Sequence, residues 1–360
     1  MGYPSTRKLG VQLALEGCPF EGAAIVTAVP LPEKWLLQQI ARRAQRIRAK
    51  QDEGVLTRKP SSTFRVAALI VGIGDDCAVL RHRSGPDTLI TTDFSLEGVH
   101  FRRQWHPPES VGHRCLARGL SDIAAMGGLP VAAFLSLGLP SDLPQPWVDR
   151  FLRGLLDLAK RFSTPLAGGD VAQSSEGVLA DIVVLGSVPR GRAVLRSGAR
   201  AGDLVYVTGR LGASALMLSR LRRKYSAKIS RRENPAHFFP TPRVAIGRFL
   251  REKRIASAMI DLSDGLSTDL DHICEQSGVG ARIYAERIPS AAGAENFALN
   301  GGEDYELLFT ARPRVHVPAK IAGVPVTQLG EIIGARKVWL VQNGREVPLH
   351  PGGWEHFRKS

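Results

Sequence analysis

The chain has few cysteines, and they form no pattern typical of a disulfide scaffold or a metal centre. Its 360 residues contain four Cys, and these lie far apart at Cys18, Cys77, Cys115 and Cys274. There is no CxxC pair, and no histidine stands beside them at metal-ligand spacing. A disulfide framework or a structural zinc site needs clustered ligands. We therefore expect free thiols in a reducing cytoplasm.

Long apolar runs are also missing. No segment approaches the roughly 20 apolar residues that span a bilayer, and the mean hydropathy is -0.06. The stretch after Lys8 is interrupted by Glu16, which makes it a poor secretory signal. We expect no membrane association, and we expect residues 1–31 to be a poorly structured extension.

The common nucleotide-binding signatures are absent. The sequence has no GxxxxGK[ST] motif and no HRDxxxxN motif, which excludes P-loop NTPases and protein kinases. VGIGDD lacks the third glycine of a dinucleotide fingerprint, and its acids would repel a pyrophosphate unless a metal intervened.

What the chain has in excess is positive charge, with a formal net charge of +14. Residues 1–65 carry +6 and residues 220–254 carry +10, whereas the other 260 residues sum to -2. A basic excess suggests a polyanionic partner, but here it is confined to two segments. These segments contain no RNP, KH or zinc-finger signature, so nucleic acid is an unlikely partner.

Apolar periodicity predicts helices and strands in both halves of the chain. A helical stripe covers residues 109–128, and LADIVVLGSV and LVYVTG are typical of buried strands. The Gly- and Arg-rich connection PRGRAVLRSGARAGD separates the halves. The pattern predicts a two-domain α/β (mixed α+β) fold, with one domain over 32–188 and the other over 189–360.

Aspartates beside glycines or at the predicted ends of strands carry the functional signal. Unpaired carboxylates next to apolar strands are costly to bury and repel one another. The set comprises Asp75, Asp76, Asp93, Asp122, Asp170, Asp261 and Asp264.

Hard divalent cations remove such repulsion and take oxygen ligands. Because Cys and His clusters are missing, Mg²⁺ fits better than Zn²⁺. Thr91 and Thr92, directly before Asp93, can add hydroxyl or carbonyl oxygens. The glycines of GGD allow backbone N–H groups to approach phosphate oxygens. The pattern therefore indicates metal-assisted phosphoryl transfer.

With these motifs the chain resembles the thiamine-monophosphate kinase family, within the aminoimidazole-ribonucleotide-synthetase-like ATP-binding superfamily. The resemblance extends from about residue 33 to 357 and is carried in order by VGIGDDCAVL, TTDFSLEGVHF, LSDIAAMGGLP, LAGGD, GRAVLRSGARAGD, VYVTGRLG, AMIDLSDGLSTDL and GGEDYELLFT. It implies a two-domain cytoplasmic homodimer that transfers the γ-phosphate of ATP to thiamine monophosphate and forms thiamine diphosphate.

The resemblance also implies roles for particular residues. Several Mg²⁺ ions would be held by Asp76, Thr91, Thr92, Asp93, Asp122, Asp170, Asp261 and Asp264. ATP would contact Gly169, Asp170, Arg196 and Ser263. Thiamine monophosphate would contact His100, Glu303 and Trp354. Since the acceptor is already an anionic phosphate oxygen, we expect neither a covalent nucleophile nor a general base.

The chain departs from the family pattern at two places. Val171, Ala172 and Gln173 follow GGD where the family usually has Thr-Thr-Arg, so an anion-binding arginine is missing there. Gly119 precedes LSD where the family usually has Asn. We expect this loss either to weaken phosphate binding or to move that role to Arg196 or a nearby basic residue.

Other functions remain open at the level of sequence. One is another ATP-dependent enzyme of the superfamily, similar to aminoimidazole ribonucleotide synthetase or selenophosphate synthetase. A selenophosphate synthetase needs a reactive cysteine near the first glycine loop, and Cys18 lies too far from that loop to serve. The other is a non-enzymatic, basic nucleic-acid-binding protein.

Overall fold

The described part of the chain forms two β-sheets, one after the other along the sequence. The computed structural model describes residues 38–40, 42, 67–223 and 234–356. The extension predicted over 1–31 lies outside these residues. So does most of the helix predicted from about 32 to 50, of which residues 38–40 and 42 are described and are helical.

The first sheet has six strands in the order β1-β2-β3-β6-β4-β5. Only the β4–β5 pair is parallel, because a helix crosses over between these two strands. Strand β6 alternates strictly between buried and half-buried residues, so one face of the sheet packs against helices. The elements are β1 (Ala67–Val71), β2 (Ala78–His82), β3 (Asp87–Leu96), α1 (Pro108–Ala125), β4 (Leu129–Pro140), α2 (Gln145–Arg161), β5 (Leu166–Ser174) and β6 (Leu179–Val188).

The second sheet follows the order β14-β13-β9-β12-β7-β10-β8, with β11 paired to β12. Helix α6 packs on one face through a core that includes Leu270 and Ile273. The elements are β7 (Leu204–Thr208), α3 (Ala213–Arg223), α4 (Pro235–Phe238), α5 (Val244–Glu252), β8 (Ala256–Asp261), α6 (Leu266–Ser277), β9 (Gly280–Tyr284), β10 (Leu307–Ala311), β11 (Lys320–Ile321), β12 (Val324–Ile333), β13 (Val338–Gln342) and β14 (Arg345–Pro348), with short 3₁₀ turns at Ala285–Arg287 and Glu295–Phe297.

Helix α1 connects the two halves. Its end, at Ala124 and Ala125, belongs to the core that α5 and strands β8 and β10 also form. Helix α5 approaches so closely that a Cβ on Gly247 would stand 1.9 Å from the carbonyl oxygen of Ala124. The α1 helix is therefore buried between the first sheet and the second.

The predicted mixed α/β class is confirmed, but several elements were missed. Strand β2 was not predicted, because AVLRH is short and ends in polar residues. Helix α5 lies inside the basic segment 220–254. It was not predicted, because the many charged residues there obscure the apolar periodicity of Val244, Ile246 and Leu250, which are buried. None of the described helices is long and apolar enough to cross a membrane.

Helices α1 and α2 pack through glycines, which predicts a strong effect of adding one methyl group. A Cβ on Gly112 would lie 2.0 Å from the carbonyl oxygen of Phe151. We expect Gly112→Ala to lower the free energy of unfolding by about 1–3 kcal/mol, because the helices must move apart. Urea denaturation measures this. Gly334→Ala, where a Cβ meets nothing within 4 Å, is the control, and equal stability of the two variants would contradict the packing.

Candidate active site

A cavity of about 600 Å³ opens where α1, the end of β8 and the loop before β10 meet. Residues from both halves of the chain line it. Among them are nine of the site residues predicted from the sequence, namely Thr92, Asp93, His100, Asp122, Asp261, Ser263, Asp264, Glu303 and Trp354. The structure therefore brings together most of the proposed metal and substrate residues.

Three carboxylates form an acidic cluster beside this cavity. Asp76 follows β1, Asp122 lies in the last turn of α1 and Asp261 ends β8. Each offers a carboxylate oxygen, and these oxygens lie within 4.8 Å of one another. Three like charges at this separation are unfavourable in a buried site unless protons or a cation offset them.

Neighbouring groups form hydrogen bonds with only some of the carboxylate oxygens in the acidic cluster. Arg196 donates to Oδ1 of Asp76 at 2.5 Å, and the Ser121 hydroxyl donates to Asp261 at 2.6 Å. The Thr91 hydroxyl donates to Asp122. Oδ2 of Asp76 is buried and has no hydrogen-bond partner among the described residues. An orphaned carboxylate oxygen inside an all-oxygen donor set fits a hard cation such as Mg²⁺.

Burial and mutual repulsion disturb the titration of these acids. Burial, and then the charge of Asp76, raises the pKa of Asp261 to about 8. Burial raises the pKa of Asp122 well above its ordinary value, and the charges of Asp93 and Asp261 add to the shift. Ionised carboxylates are therefore costly here.

Strand alternation separates the two neighbouring threonines. Thr91 and Asp93 face α1, whereas Thr92 faces the other side of β3 and donates to Asp181 at 2.8 Å. The hydroxyls of Thr91 and Thr92 therefore lie on opposite faces of the sheet. The sequence placed Asp93 at a strand end, which is wrong, since Asp93 lies inside β3.

Asp264 lies in the loop between β8 and α6. With Asp269 and His272 it forms a second group of possible ligands within 4.8 Å. Oδ2 of Asp269 accepts hydrogen bonds from the backbone N–H groups of Asp264 and Gly265, at 3.2 and 3.0 Å, and so braces this loop.

Gly169 and Asp170 do not join the acidic cluster. They lie on the exposed edge strand β5, where φ of Gly169 is 152° and a Cβ would stand 1.8 Å from the carbonyl oxygen of Leu135. The strand register places Gly169 three strands from Asp93, which is about 14 Å at normal strand spacing. A metal ion on Asp170 would therefore be a different ion from one on Asp93.

The other end of the cavity is less acidic. The Leu96 N–H donates to Nδ1 of His100 at 3.0 Å, and burial lowers the pKa of this histidine to about 3. His100 is thus neutral, with its proton on Nε2. Trp354 is half exposed at the cavity rim, and its backbone N–H donates to the Asp264 carbonyl at 3.0 Å. The end of the described chain therefore returns to the site.

The sequence reasoning missed two arginines that contact Glu303. Arg114 and Arg118 lie one turn apart on α1 and donate to this carboxylate at 2.5 and 2.8 Å. Their spacing indicates a shared helix face. Nothing in the sequence connects that face with a glutamate about 190 residues away.

The structure explains one of the two departures from the family pattern. A Cβ on Gly119 would lie 2.5 Å from a methyl group of Val184, so β6 leaves no room for a side chain there. Val171, Ala172 and Gln173 continue the exposed strand β5. Nothing in the structure explains the loss of the arginine at that place.

Comparison with known proteins agrees with this architecture. The family models for the N-terminal and C-terminal domains of AIR synthase related proteins match residues 74–188 and 200–340. A thiamine-monophosphate kinase of Salmonella typhimurium is 38% identical over 306 residues, which are 79% of this chain and 91% of that one. A thiamine-monophosphate kinase of Bacillus subtilis is 33% identical over 313 residues, which are 82% and 96% of the two chains.

Solved structures show the same similarity. The structure of AaThiL complexed with AMPPCP and TMP has a TM-score of 0.74 and 31% identity, and the match covers 91% of this chain and 97% of that one. The thiamine-monophosphate kinase of Stenotrophomonas maltophilia has a TM-score of 0.66 and 33% identity, with 84% and 96% covered.

The raised pKa of Asp261 predicts how stability depends on pH. Between about pH 4 and pH 8 the unfolded chain releases this proton while the folded chain keeps it, so the metal-free protein loses stability as the pH rises. Asp261→Asn does not titrate. In EDTA, we expect its Tm to exceed that of the unsubstituted protein by a margin that grows from pH 5 to pH 8. Thermal unfolding measures this, and a margin that shrinks with pH would contradict the electrostatic account.

Proposed function

Because the chain belongs to the thiamine-monophosphate kinase family of AIR synthase related proteins, we infer that it transfers the γ-phosphate of ATP to thiamine monophosphate and forms thiamine diphosphate. The relatives match over about four fifths of this chain, and a similar structure holds an ATP analogue together with TMP. The observation that carries the inference is the shared cavity, whose lining includes two acids of the acidic cluster as well as His100, Glu303 and Trp354.

The reaction needs charge control more than acid–base chemistry. The attacking group is a phosphate oxygen, which is anionic at neutral pH and needs no base to remove a proton. Two polyanions must instead be brought together and aligned in line. We therefore propose that the protein uses neither a covalent nucleophile nor a general base.

We propose that Mg²⁺ ions bind at the acidic end of the cavity. Bound Mg²⁺ would supply the positive charge that offsets the polyphosphate. The orphaned oxygen of Asp76 and the repulsion within the cluster support this assignment. Because strand spacing separates Gly169 from Asp93 by about 14 Å, a single ion does not contact both Asp170 and Asp93, and more than one ion is needed to use all the proposed ligands. These are Asp76, Thr91, Thr92, Asp93, Asp122, Asp170, Asp261 and Asp264.

For ATP we propose contacts at Gly169, Asp170, Arg196 and Ser263. The Arg196 side chain is already turned to the acidic cluster by its ion pair with Asp76. Arginine suits this place because its charge is permanent and its planar fork matches phosphate oxygens. Gly169 supports the proposal, since it lies on an exposed edge strand where its backbone is accessible to a ligand.

For thiamine monophosphate we propose contacts at His100, Glu303 and Trp354. Neutral His100 offers an N–H donor, and Glu303 offers an acceptor. The exposed Trp354 ring offers a face for stacking or for the thiazolium cation. Unlike the acidic cluster, this set combines an aromatic ring, a neutral donor and a single carboxylate that two arginines hold, and so it suits the organic part of the substrate.

Two further assignments concern organisation and compartment. We propose a domain division near residue 189, since the strands of the two sheets cover 67–188 and 204–348.

We also propose that the protein works in the cytoplasm, where a reducing environment keeps thiols free. The buried thiols of Cys77, Cys115 and Cys274 are unpaired, which supports this.

We propose that the protein is a homodimer formed through the face of the first sheet that the described helices leave uncovered. The helices pack on one face, while Phe94, Phe134, Val183 and Leu185 share the other, and Phe94 is 54% exposed. Apolar surface of this kind marks interaction sites. Strand β5 also leaves its backbone groups open at the sheet edge.

We expect Leu185→Glu to convert the dimer into a folded monomer, because a charge would have to be buried in the interface. Light scattering after size-exclusion chromatography measures the mass, and circular dichroism checks the fold. Val347→Glu places the same charge on an exposed valine of β14 and is the control. A monomeric unsubstituted protein, or a Leu185→Glu dimer, would count against this interface.

The proposed activity predicts thiamine diphosphate formation from ATP, Mg²⁺ and thiamine monophosphate, and loss of product when EDTA is added. Liquid chromatography of the product measures this directly. Asp122→Asn, which removes one carboxylate charge at nearly constant volume, should lower turnover by about 100-fold or more while the protein stays folded. Absence of product with the unsubstituted protein would refute the proposed function.

A further inference from the structure

The Glu303 carboxylate is held asymmetrically. Arg114 and Arg118 both donate to the same oxygen, Oε1, at 2.5 and 2.8 Å. No hydrogen bond from any described residue reaches Oε2, and Oε2 is not a buried orphan. Glu303 lines the cavity and its side chain is 23% exposed. Oε1 is therefore held by the two arginines, while Oε2 faces the cavity.

The two arginines are themselves fixed. Arg114 is buried and also donates to the carbonyl oxygen of His237 at 2.6 Å. Arg118 donates to the carbonyl oxygen of Phe94 at 3.2 Å. Both side chains start from α1, so their guanidinium groups are anchored at two ends. A guanidinium that is held in this way orients its carboxylate partner more strictly than a mobile surface pair does.

The backbone of Glu303 is anchored as well. Its φ is +64°, which costs free energy for a residue that has a Cβ. The Glu303 N–H donates to the carbonyl oxygen of Ser263 at 2.8 Å, which holds this conformation. The carboxylate is thus placed from both sides, by its own main chain and by the pair on α1.

We propose that Arg114 and Arg118 are positioning residues for substrate selection. By pinning Oε1 and keeping Glu303 ionised, they make Oε2 an acceptor for the exocyclic amino group of the aminopyrimidine ring. The proposal rests on the proposed function, since thiamine monophosphate supplies that ring. It goes beyond that function by assigning the specificity to one oxygen and to two arginines outside the site residues predicted from the sequence.

The chemistry of this oxygen favours one kind of partner. An ionised carboxylate only accepts hydrogen bonds, and a neighbouring arginine pair opposes its protonation. Oε2 therefore binds an N–H donor and repels a carbonyl oxygen. A site built to bind a substrate N–H rejects analogues that lack it by large factors. The sharpest probe is the 4′-oxo analogue of thiamine monophosphate, in which oxygen replaces the amino group.

The experiment compares kcat/KM for thiamine monophosphate with kcat/KM for the 4′-oxo analogue. We expect the unsubstituted protein to prefer the amino substrate by about 100-fold or more. Arg118→Ala should reduce this ratio to within a few-fold, chiefly through a higher KM for the amino substrate, and leave the KM for ATP unchanged. Arg118→Lys keeps the positive charge but replaces the planar guanidinium by a compact ammonium group. Its preference for the amino substrate should therefore lie between that of Arg118→Ala and that of the unsubstituted protein.

Two further variants test the mechanism. Glu303→Gln should abolish the preference for the amino substrate. The double variant Glu303→Gln with Arg118→Ala should have the same ratio of kcat/KM values as Glu303→Gln alone, because both substitutions act through the same contact. Arg150→Ala removes an arginine that forms an ion pair with Glu109 on the surface, at 2.6 Å, and should keep the full preference.

The outcomes separate the two levels of inference. No thiamine diphosphate from the unsubstituted protein would refute the proposed function. Turnover with an unchanged preference in Arg118→Ala and Arg118→Lys, or an equal loss of activity on both substrates, would refute the positioning role. If Arg118→Ala does not fold, Arg118→Lys and Glu303→Gln carry the same test.

Discussion

The repulsion between three clustered carboxylates is the constraint on which this structure depends. Asp76, Asp122 and Asp261 approach within 4.8 Å, although each comes from a different element and they span 185 positions of the chain. Such a cluster costs free energy in the absence of a counter-charge. The fold must therefore be stable enough, through its two sheets and their cores, to hold the acids together against this repulsion.

Helix α1 meets that requirement because it serves the fold and the site with different faces. Gly112 allows it to touch the backbone of α2, and Gly119 leaves room for the Val184 side chain of β6. Its last turn enters the core shared with α5. The remaining positions carry Asp122 to the acidic cluster and Arg114 and Arg118 to Glu303. Side chains on a rigid, buried helix are placed more precisely than side chains on loops.

Much of the fold was predictable, since strands such as β6 and helices such as α2 have strong periodicity over ten or more residues. Strand β2 was missed because five residues give too short a pattern. Helix α5 was missed because its charged residues obscure the periodicity of its four buried positions. In the site, the aspartates were recognisable because acids beside glycines and apolar runs are unusual. Asp93 and Asp170 were nevertheless misplaced at strand ends, since a local motif does not reveal how far a strand continues.

The sequence by itself determined the fold class, the chemical type of the acidic end and the family, because each of these depends on residue types within short segments. Only the tertiary structure decided which acids meet, which oxygen of Glu303 stays available and that Gly169 lies three strands from Asp93. The physical reason is that these relations join residues far apart in the chain. They depend on strand register and helix packing, which are set by the sum of many weak contacts rather than by any single motif.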